Sequence, residues 1–499
     1  MMGIKSTQEK MFYNFRLSER IPEDHFLRKV NKVIDISFVH ALVADKYSHT
    51  GQPSIDPEVL FKMMLIGYFY GITSERRLAE DISMNMGYMW FIGYDLDEPT
   101  PNHSVLSKAR SRYGKKVFEQ FFQKILEQCI KAGLVKGEKV YMDSTYIPAD
   151  AAINSIVPRQ DAVELPLSSK EYVEKVFAEN PVDGDKPVEI KEQNPPEKID
   201  NTKLQKPKKE DLLSRNYHPL SNKTHFSKTD PECSIVSHAR PRETRSPAKL
   251  AYKEHFTVDG HKRVITAVKV TPGAIADEAL LATLIKEQPC PVKEVCADTK
   301  YGTYDNYKYL YARGITPTIP PWIPGGPSTP GRVYKKEYVY DPKTDTYTCP
   351  TGKKLIRGKN TLTPNFTKYL SRKEDCRNCV LSAKCLKKNR ARCTLYRHDD
   401  DAFRQRALEH LLTDDARKTM SQRKTYAEWV NAESKTKHGL RRAMFRGLEQ
   451  VTIQVMMTAS VQNLKRLISQ IPATAPIFKE LYSDFCNFMS SLLKQTAFA

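Results

Sequence analysis

Two aspartates each stand at the end of a short β-prone run. Val140, Tyr141 and Met142 lead into Asp143, and a run from Val292 to Ala297 leads into Asp298; each acid is followed by Thr or Ser-Thr. The first run is bounded by Gly137 and Pro148 and reads as a buried strand. An acid closing such a strand sits at a sheet rim, where ligands of α/β proteins bind. One such Asp is ordinarily a turn or helix cap; two in the same pattern suit a shared metal site at adjacent strand ends. A third acid, Glu428, precedes Lys435 by seven residues in a basic helical stretch, so the two share a helical face with Asn431 and Ala432 between them. An exposed Glu there is ordinarily a salt-bridge partner. Together the three carboxylates suit Mg²⁺ (or Mn²⁺), which favours carboxylate oxygens and keeps several waters. Two such ions can activate an attacking oxygen and stabilise the leaving one during in-line phosphodiester displacement.

The elements that must position these acids follow from periodicity and turn chemistry. From Pro53 to about Ala132 the pattern is helical: Pro57 follows Asp56 as a first-turn proline, and Thr73-Ser74 opens a further helix. Lys108, Arg110 and Arg112 gather in this region, which fits a helix-turn-helix DNA reader and an ordinary bundle equally. Residues 154–230 are rich in Pro, Lys, Glu, Asn and Ser, and read as a flexible insertion too polar to offset its ordering entropy. Order returns at Lys249, with Asp259-Gly260 as a hairpin turn between two β-rich runs. An amphipathic helix (Asp277 to Lys286), the second Asp strand, a helix around Asp305 to Arg313 and a short strand from Ile315 follow. That order predicts a mixed α/β sheet with acids on its first and fourth strands.

Residues 334–400 break the pattern with Cys349, Cys376, Cys379, Cys385 and Cys393. The thiolates of Cys349, Cys376, Cys379 and Cys385 could hold tetrahedral Zn²⁺, but only one close Cys-x-x-Cys pair is present, and reduced structural cysteines are the equal alternative. From Asp401 to about Ser469 the chain is helical and basic again. His438 to Gly447 concentrates cations, Arg441, Arg442 and Arg446 among them, and Val451 to Leu467 reads as a core helix.

With 499 residues the chain can form two to four domains. Seventy-nine Lys and Arg against 59 Asp and Glu leave a net charge of +20, which favours a polyanionic partner, DNA or RNA before a membrane. The first thirteen residues lack the apolar core of a signal peptide, and no apolar run reaches membrane-spanning length. Ten cysteines in a long Lys-rich chain do not suggest a disulfide scaffold. The expectation is a cytoplasmic protein that meets nucleic acid.

Several stretches resemble the DDE transposases of bacterial insertion sequences: Gly51-Gln-Pro to Arg112, Met142-Asp-Ser-Thr-Tyr, Tyr252-Lys-Glu-His, Ala297-Asp-Thr-Lys-Tyr-Gly, the cysteine insert, His438-Gly-Leu-Arg-Arg and Phe445-Arg-Gly-Leu. The resemblance spans nearly the whole chain. It implies a helical DNA-binding domain (1–135), a ribonuclease H-like catalytic core (136–333), the cysteine-rich insertion (334–400), a helical remainder of the core (401–475) and a tail (476–499). It also implies Asp143, Asp298 and Glu428 as catalytic acids and magnesium ligands. Lys435, Arg441, Arg442 and Arg446 would contact DNA, and the partners would be terminal inverted repeats, target DNA and a second copy of the chain. The reaction implied is nicking at the element ends, then attack of the freed 3′-hydroxyl on target DNA. The family's Tyr and Arg before the Glu are Ser421 and Lys424 here, and its aromatic-glycine pair is Asn431-Ala432, which leaves Glu433 as a competitor to Glu428. The alternatives are a repurposed DNA-binding protein without catalysis and a metal-dependent nuclease that does not join strands.

Overall fold

A computed structural model describes residues 14–48, 50–159, 172, 174–175, 221–236, 248–322, 337–358, 365–386 and 390–470. The chain divides into two compact units. The first comprises residues 1–279, 283–291 and 424–499, and the second 280–282 and 292–423. This division differs from the linear one read from sequence, because the N-terminal helices, the first strands and the C-terminal helices share one core.

In the first unit, Asp56 accepts a hydrogen bond from the Glu58 amide (2.7 Å) and Pro57 starts the helix Pro57–Tyr70. This is the cap-then-proline opening the sequence predicts. The helix Ser104–Lys131 is two segments that meet at Gly114. Strand β1 (Lys139–Pro148) pairs antiparallel with β5 (Lys249–Asp259), and β5 pairs antiparallel with β6 (Ile265–Pro272). Between β1 and β5 in sequence lie β2 (Ile156–Pro158), β3 (His225–Ser227) and β4 (Ser234–Val236). β2 pairs with β3, and β4 pairs with the first residues of β5.

Three expectations change here. Asp143 is in the middle of β1 rather than at its end, since Thr145, Tyr146 and Ile147 are themselves β-prone and carry the strand on to Pro148. The borders of the 154–230 insertion are ordered: β2 and β3 pair, and buried Asp230 accepts hydrogen bonds from the Tyr252 hydroxyl (2.5 Å) and the Gly447 amide (3.2 Å). Its middle, like the tail 476–499, lies outside the described residues. The hairpin at Asp259 has a longer loop than a two-residue turn. Asp259 is buried, accepting from the amides of Gly137 (2.8 Å) and His261 (2.8 Å), and Arg263 takes a left-handed φ of 59°.

The helix Leu448–Gln470 is buried from Val451 through Leu464 on every side, the mark of a central core helix. It packs on Ser104–Lys131, on Pro57–Tyr70 and on β6. Its buried amides hold neighbours in place. Asn463 bridges the amide and carbonyl of Ile265 (2.8 Å each), and Gln454 accepts from the Met444 amide (2.9 Å) and donates to the Arg442 carbonyl (3.1 Å).

The second unit pairs β7 (Glu294–Cys296) parallel with β8 (Thr316–Thr318). The helices Asp401–Leu411 and Asp414–Arg423 pack on this pair. The cysteine-rich stretch contributes β9 (Val339–Asp341), β10 (Thr346–Thr348), β11 (Lys354–Arg357), β12 (Phe366–Ser371) and β13 (Thr394–His398). They form a five-stranded antiparallel sheet in the order β13-β12-β11-β10-β9. Tyr338, Tyr347, Leu355 and Tyr369 are its core. Among the described residues no helix is long and apolar enough to cross a membrane.

Candidate active site and nucleic-acid interface

Antiparallel pairing of β1 with β5 sets Asp143 opposite Phe256 and Thr145 opposite Glu254. Directly paired residues project to one face, so Tyr141, Asp143, Thr145 and Glu254 share a side. Residues 424–437 cover that side. Lys424–Glu428 is a turn of π-helix leading into the α-helix Trp429–Lys437. π-turns of this kind recur at functional sites because the extra residue re-aims the side chains that follow. Tyr426 stacks on Tyr141 with ring centroids 4.6 Å apart, and Arg263 lies over the Trp429 ring at 4.4 Å. One turn on, Asn431 Nδ2 donates to Asp143 Oδ2 (3.2 Å), and a further turn on Lys435 Nζ donates to the Thr145 hydroxyl. Glu428 is exposed, on the same helical face as Asn431 and Lys435.

Asp143 is buried, at 8% exposure, and Glu254 is more so at 2%. Burial pushes the Glu254 carboxyl up to about 7; Lys435 draws it down and Asp143 raises it again. Burial likewise depresses the Lys435 ammonium, against the pull of Glu254 and Asp143. Lys435 is thus drawn to both carboxylates, Glu254 and Asp143. Sequence reasoning missed Glu254. The signal was an acid inside Tyr252-Lys-Glu-His-Phe-Thr-Val, a run that reads as a buried strand, where a charge is rare unless paired.

Glu433, the competitor for the third acid, is bound elsewhere. It accepts from Lys465 (2.6 Å) and Arg466 (2.6 Å), with His438 Nε2 at 3.4 Å. Burial acts to raise its carboxyl, but these partners prevail and hold it well below the usual carboxylate range. Asp298 belongs to the second unit, two residues past β7. There it caps a 3₁₀ turn, accepting from the Lys300 amide (3.1 Å), as the plain reading of one such Asp expects.

The cations of 435–446 flank an open cleft in the first unit. Lys435, Lys437, Arg441, Arg442 and Lys465 line it against one carboxylate, Asp150. Asp150 pairs with Arg442 (3.2 Å) and Arg446 (3.2 Å), both more than half exposed, and Arg441 donates to the Lys435 carbonyl (3.2 Å). The cleft wall depends on Gly71, which ends the helix Pro57–Tyr70 at φ 67°. A Cβ there would meet the Lys437 carbonyl oxygen at 2.7 Å. The N-terminal basic trio contributes less than its spacing promised. Arg110 is buried, paired with Glu75 and stacked on Phe445 at 4.0 Å, whereas Lys108 and Arg112 stay exposed.

In the second unit Cys349, Cys376, Cys379, Cys385 and Cys393 line one small pocket with Tyr338, whose hydroxyl lies 3.1 Å from Cys393 Sγ. All five are free thiols. Burial raises the Cys385 thiol, Tyr338 lowers it, and Cys379, Cys349 and Cys376 raise it further. Among the described residues no group of three or more His, Cys, Asp or Glu is arranged to hold a metal ion, either here or around Asp143. What fits a cation near Asp143 is an oxygen surplus: Glu254 Oε2 and Asn431 Oδ1 are buried without a hydrogen-bond partner.

Two family comparisons match the chain. Residues 15–112 match a family described as a transposase domain (DUF772), and residues 348–468 match the transposase DDE domain. The second match contains Glu428 and the cysteines; Asp143 and Asp298 precede it. No curated protein matches the chain. Among solved structures, a piggyBac transposase synaptic complex with hairpin DNA is similar at 10% identity and a TM-score of 0.30, covering 89% of this chain and 72% of that one. A likeness that slight carries no argument. The two family matches fall on the helical N-terminal region and on the stretch that carries the cysteines and Glu428, and both describe transposase domains.

Proposed function

We propose that the chain binds the ends of an insertion sequence and catalyses DNA cleavage and strand transfer, with Asp143, Asp298 and Glu428 as its catalytic acids. The observation that carries this reading is the cover over Asp143: a π-turn brings Asn431 and Lys435 onto the β1 face, beside a cleft of five cations. Grouping Asp298 with the other two acids rests on the sequence motif that Asp143 and Asp298 share.

Divalent ions held by the acids would supply activation of the attacking oxygen and stabilisation of the leaving one. The chain's own groups do the rest. Arg441, Arg442 and Arg446 hold phosphates as an electrostatic clamp, and Lys435 sets the backbone near the cut. Asn431 fixes the orientation of the Asp143 carboxylate. Glu428 is favoured over Glu433 because Lys465 and Arg466, with the His438 ring beside them, already occupy Glu433.

The test is cleavage of the DNA flanking the chain's own gene, with Mg²⁺ and with chelator. Mg²⁺-dependent cuts at the element ends, lost in Glu428→Gln, are expected. Cuts that survive Glu428→Gln move the third acid elsewhere, and binding without any cutting favours a DNA-binding protein that has lost catalysis.

We further propose that the five-thiol pocket takes up Zn²⁺ through Cys349, Cys376, Cys379 and Cys385, since crowded thiolates repel one another unless a cation compensates them. Elemental analysis of the purified protein is expected to give about one zinc per chain, and none in a Cys376→Ser, Cys379→Ser variant. A zinc-free wild type would leave the cysteines as reduced packing groups.

A further inference from the structure

We infer that Glu254 and Asn431 are oxygen ligands, alongside Asp143, for a divalent cation in the first unit. The inference rests on the reading of Asp143 as a metal-holding acid and adds two residues that neither the sequence motif nor the family match assigns.

Geometry brings the three together. In the β1–β5 register Thr145 opposes Glu254 and Asp143 opposes Phe256, so Asp143 and Glu254 are diagonal neighbours on one face. Diagonal neighbours of an antiparallel pair stand roughly 7–8 Å apart, within reach of a side chain as long as Glu. Asn431 closes the third side by donating its amide to Asp143 Oδ2. The oxygen of the same amide, Oδ1, is buried with no hydrogen-bond partner. Glu254 Oε2 is in the same condition, on a side chain only 2% exposed.

Two orphaned oxygens beside a buried carboxylate are not a stable resting arrangement. A buried acceptor without a donor is destabilising, and more so when it is charged. The ammonium of Lys435 donates to the Thr145 hydroxyl and is drawn to both carboxylates, Glu254 and Asp143. His255 and Lys253 do not help, since β-alternation sends them to the opposite face. There Lys253 pairs with Asp277 (3.1 Å) and His255 bonds Thr271 (3.0 Å). The remaining donor set is two carboxylates and an amide oxygen, with no thiol or imidazole, which is the preference of a hard cation such as Mg²⁺ or Mn²⁺.

The experiment is a Mn²⁺ titration of the full-length protein without DNA, with free Mn²⁺ read by electron paramagnetic resonance. Glu254→Gln is expected to weaken Mn²⁺ binding tenfold or more, with an unchanged circular dichroism spectrum. Asn431→Leu is expected to weaken it too, whereas Asn431→Asp, which keeps an oxygen at that position, retains it. If Glu254→Gln fails to fold, the Asn431 pair decides. Binding within twofold of wild type in Glu254→Gln, or in Asn431→Leu, overturns the inference. Asp143→Asn separates the two levels: if it abolishes binding while the other variants do not, only the added ligands are lost. If Asp143→Asn also binds as wild type, the acid reading beneath them fails.

Discussion

Asp143→Asn is expected to reduce cleavage of element-end DNA a thousandfold or more, equivalent to about 4 kcal/mol of transition-state stabilisation. The substitution keeps the shape of the side chain and removes its charge, so the strand pairing of β1 and the stack of Tyr141 on Tyr426 should survive. DNA affinity should largely survive as well, because Asp143 does not line the cleft and Lys437, Arg441, Arg442 and Lys465 remain in place. The complementary variant, Arg441→Ala with Arg442→Ala, should do the reverse. It should weaken binding to all sequences and lower the slope of log K against log salt by roughly 0.9 for each phosphate left without its cation. Filter binding at several salt concentrations alongside a cleavage time course separates the two effects. An Asp143→Asn protein that still cuts would remove this acid from the chemistry.

Glu433→Ala should be the most destabilising single change at the helical cover. Its carboxylate is only 10% exposed and meets Lys465, Arg466 and His438. Removing it leaves cationic groups partly buried and unpaired, a loss of about 3–5 kcal/mol for a buried network. The pH dependence follows from its depressed carboxyl. An acid bound more tightly as the anion in the folded state contributes its full stabilisation above the ordinary carboxylate range, and loses it as pH falls toward the folded value. Wild type should therefore lose stability from about pH 4.5 downward more steeply than Glu433→Gln. Urea unfolding at pH 7 and pH 4 tests both statements. Equal midpoints for wild type and Glu433→Ala at pH 7 would show that the cluster holds nothing together.

Much of the frame was legible because local chemistry and tertiary need agree there. Asp56-Pro57 opens a helix, and residues 451–464 are the expected core helix, in which all six polar side chains are uncharged amides or hydroxyls. The failures have physical causes. The end of β1 was misplaced because an acid was read as a stop, although the residues after it are as β-prone as those before. The five-stranded sheet of the cysteine region escaped notice because its strands are three to six residues long and mix Thr, Tyr and Lys, too short for a period-2 pattern to emerge. At the site, the sequence pointed to Glu428, Asn431 and Lys435 on one face, since that follows from helical arithmetic. It could not point to Glu254, whose relation to Asp143 exists only through strand register.

The helix Leu448–Gln470 also sets a schedule for synthesis. The helices Pro57–Tyr70 and Ser104–Lys131 bury apolar faces against it, yet about 340 residues separate Lys131 from Gln470. At 5–20 residues per second the ribosome needs roughly 20–70 s to make that stretch. Throughout this interval the emerging N-terminal helices lack their central partner. A nascent chain interrupted before residue 448 would be a substrate for chaperones and proteases, and its basic cleft would lack Lys465 and the Gln454 hydrogen bonds that hold 442–444. Premature termination should then yield no stable fragment with that cleft, so that production of competent protein is all or none with respect to reading the chain through the helix Leu448–Gln470.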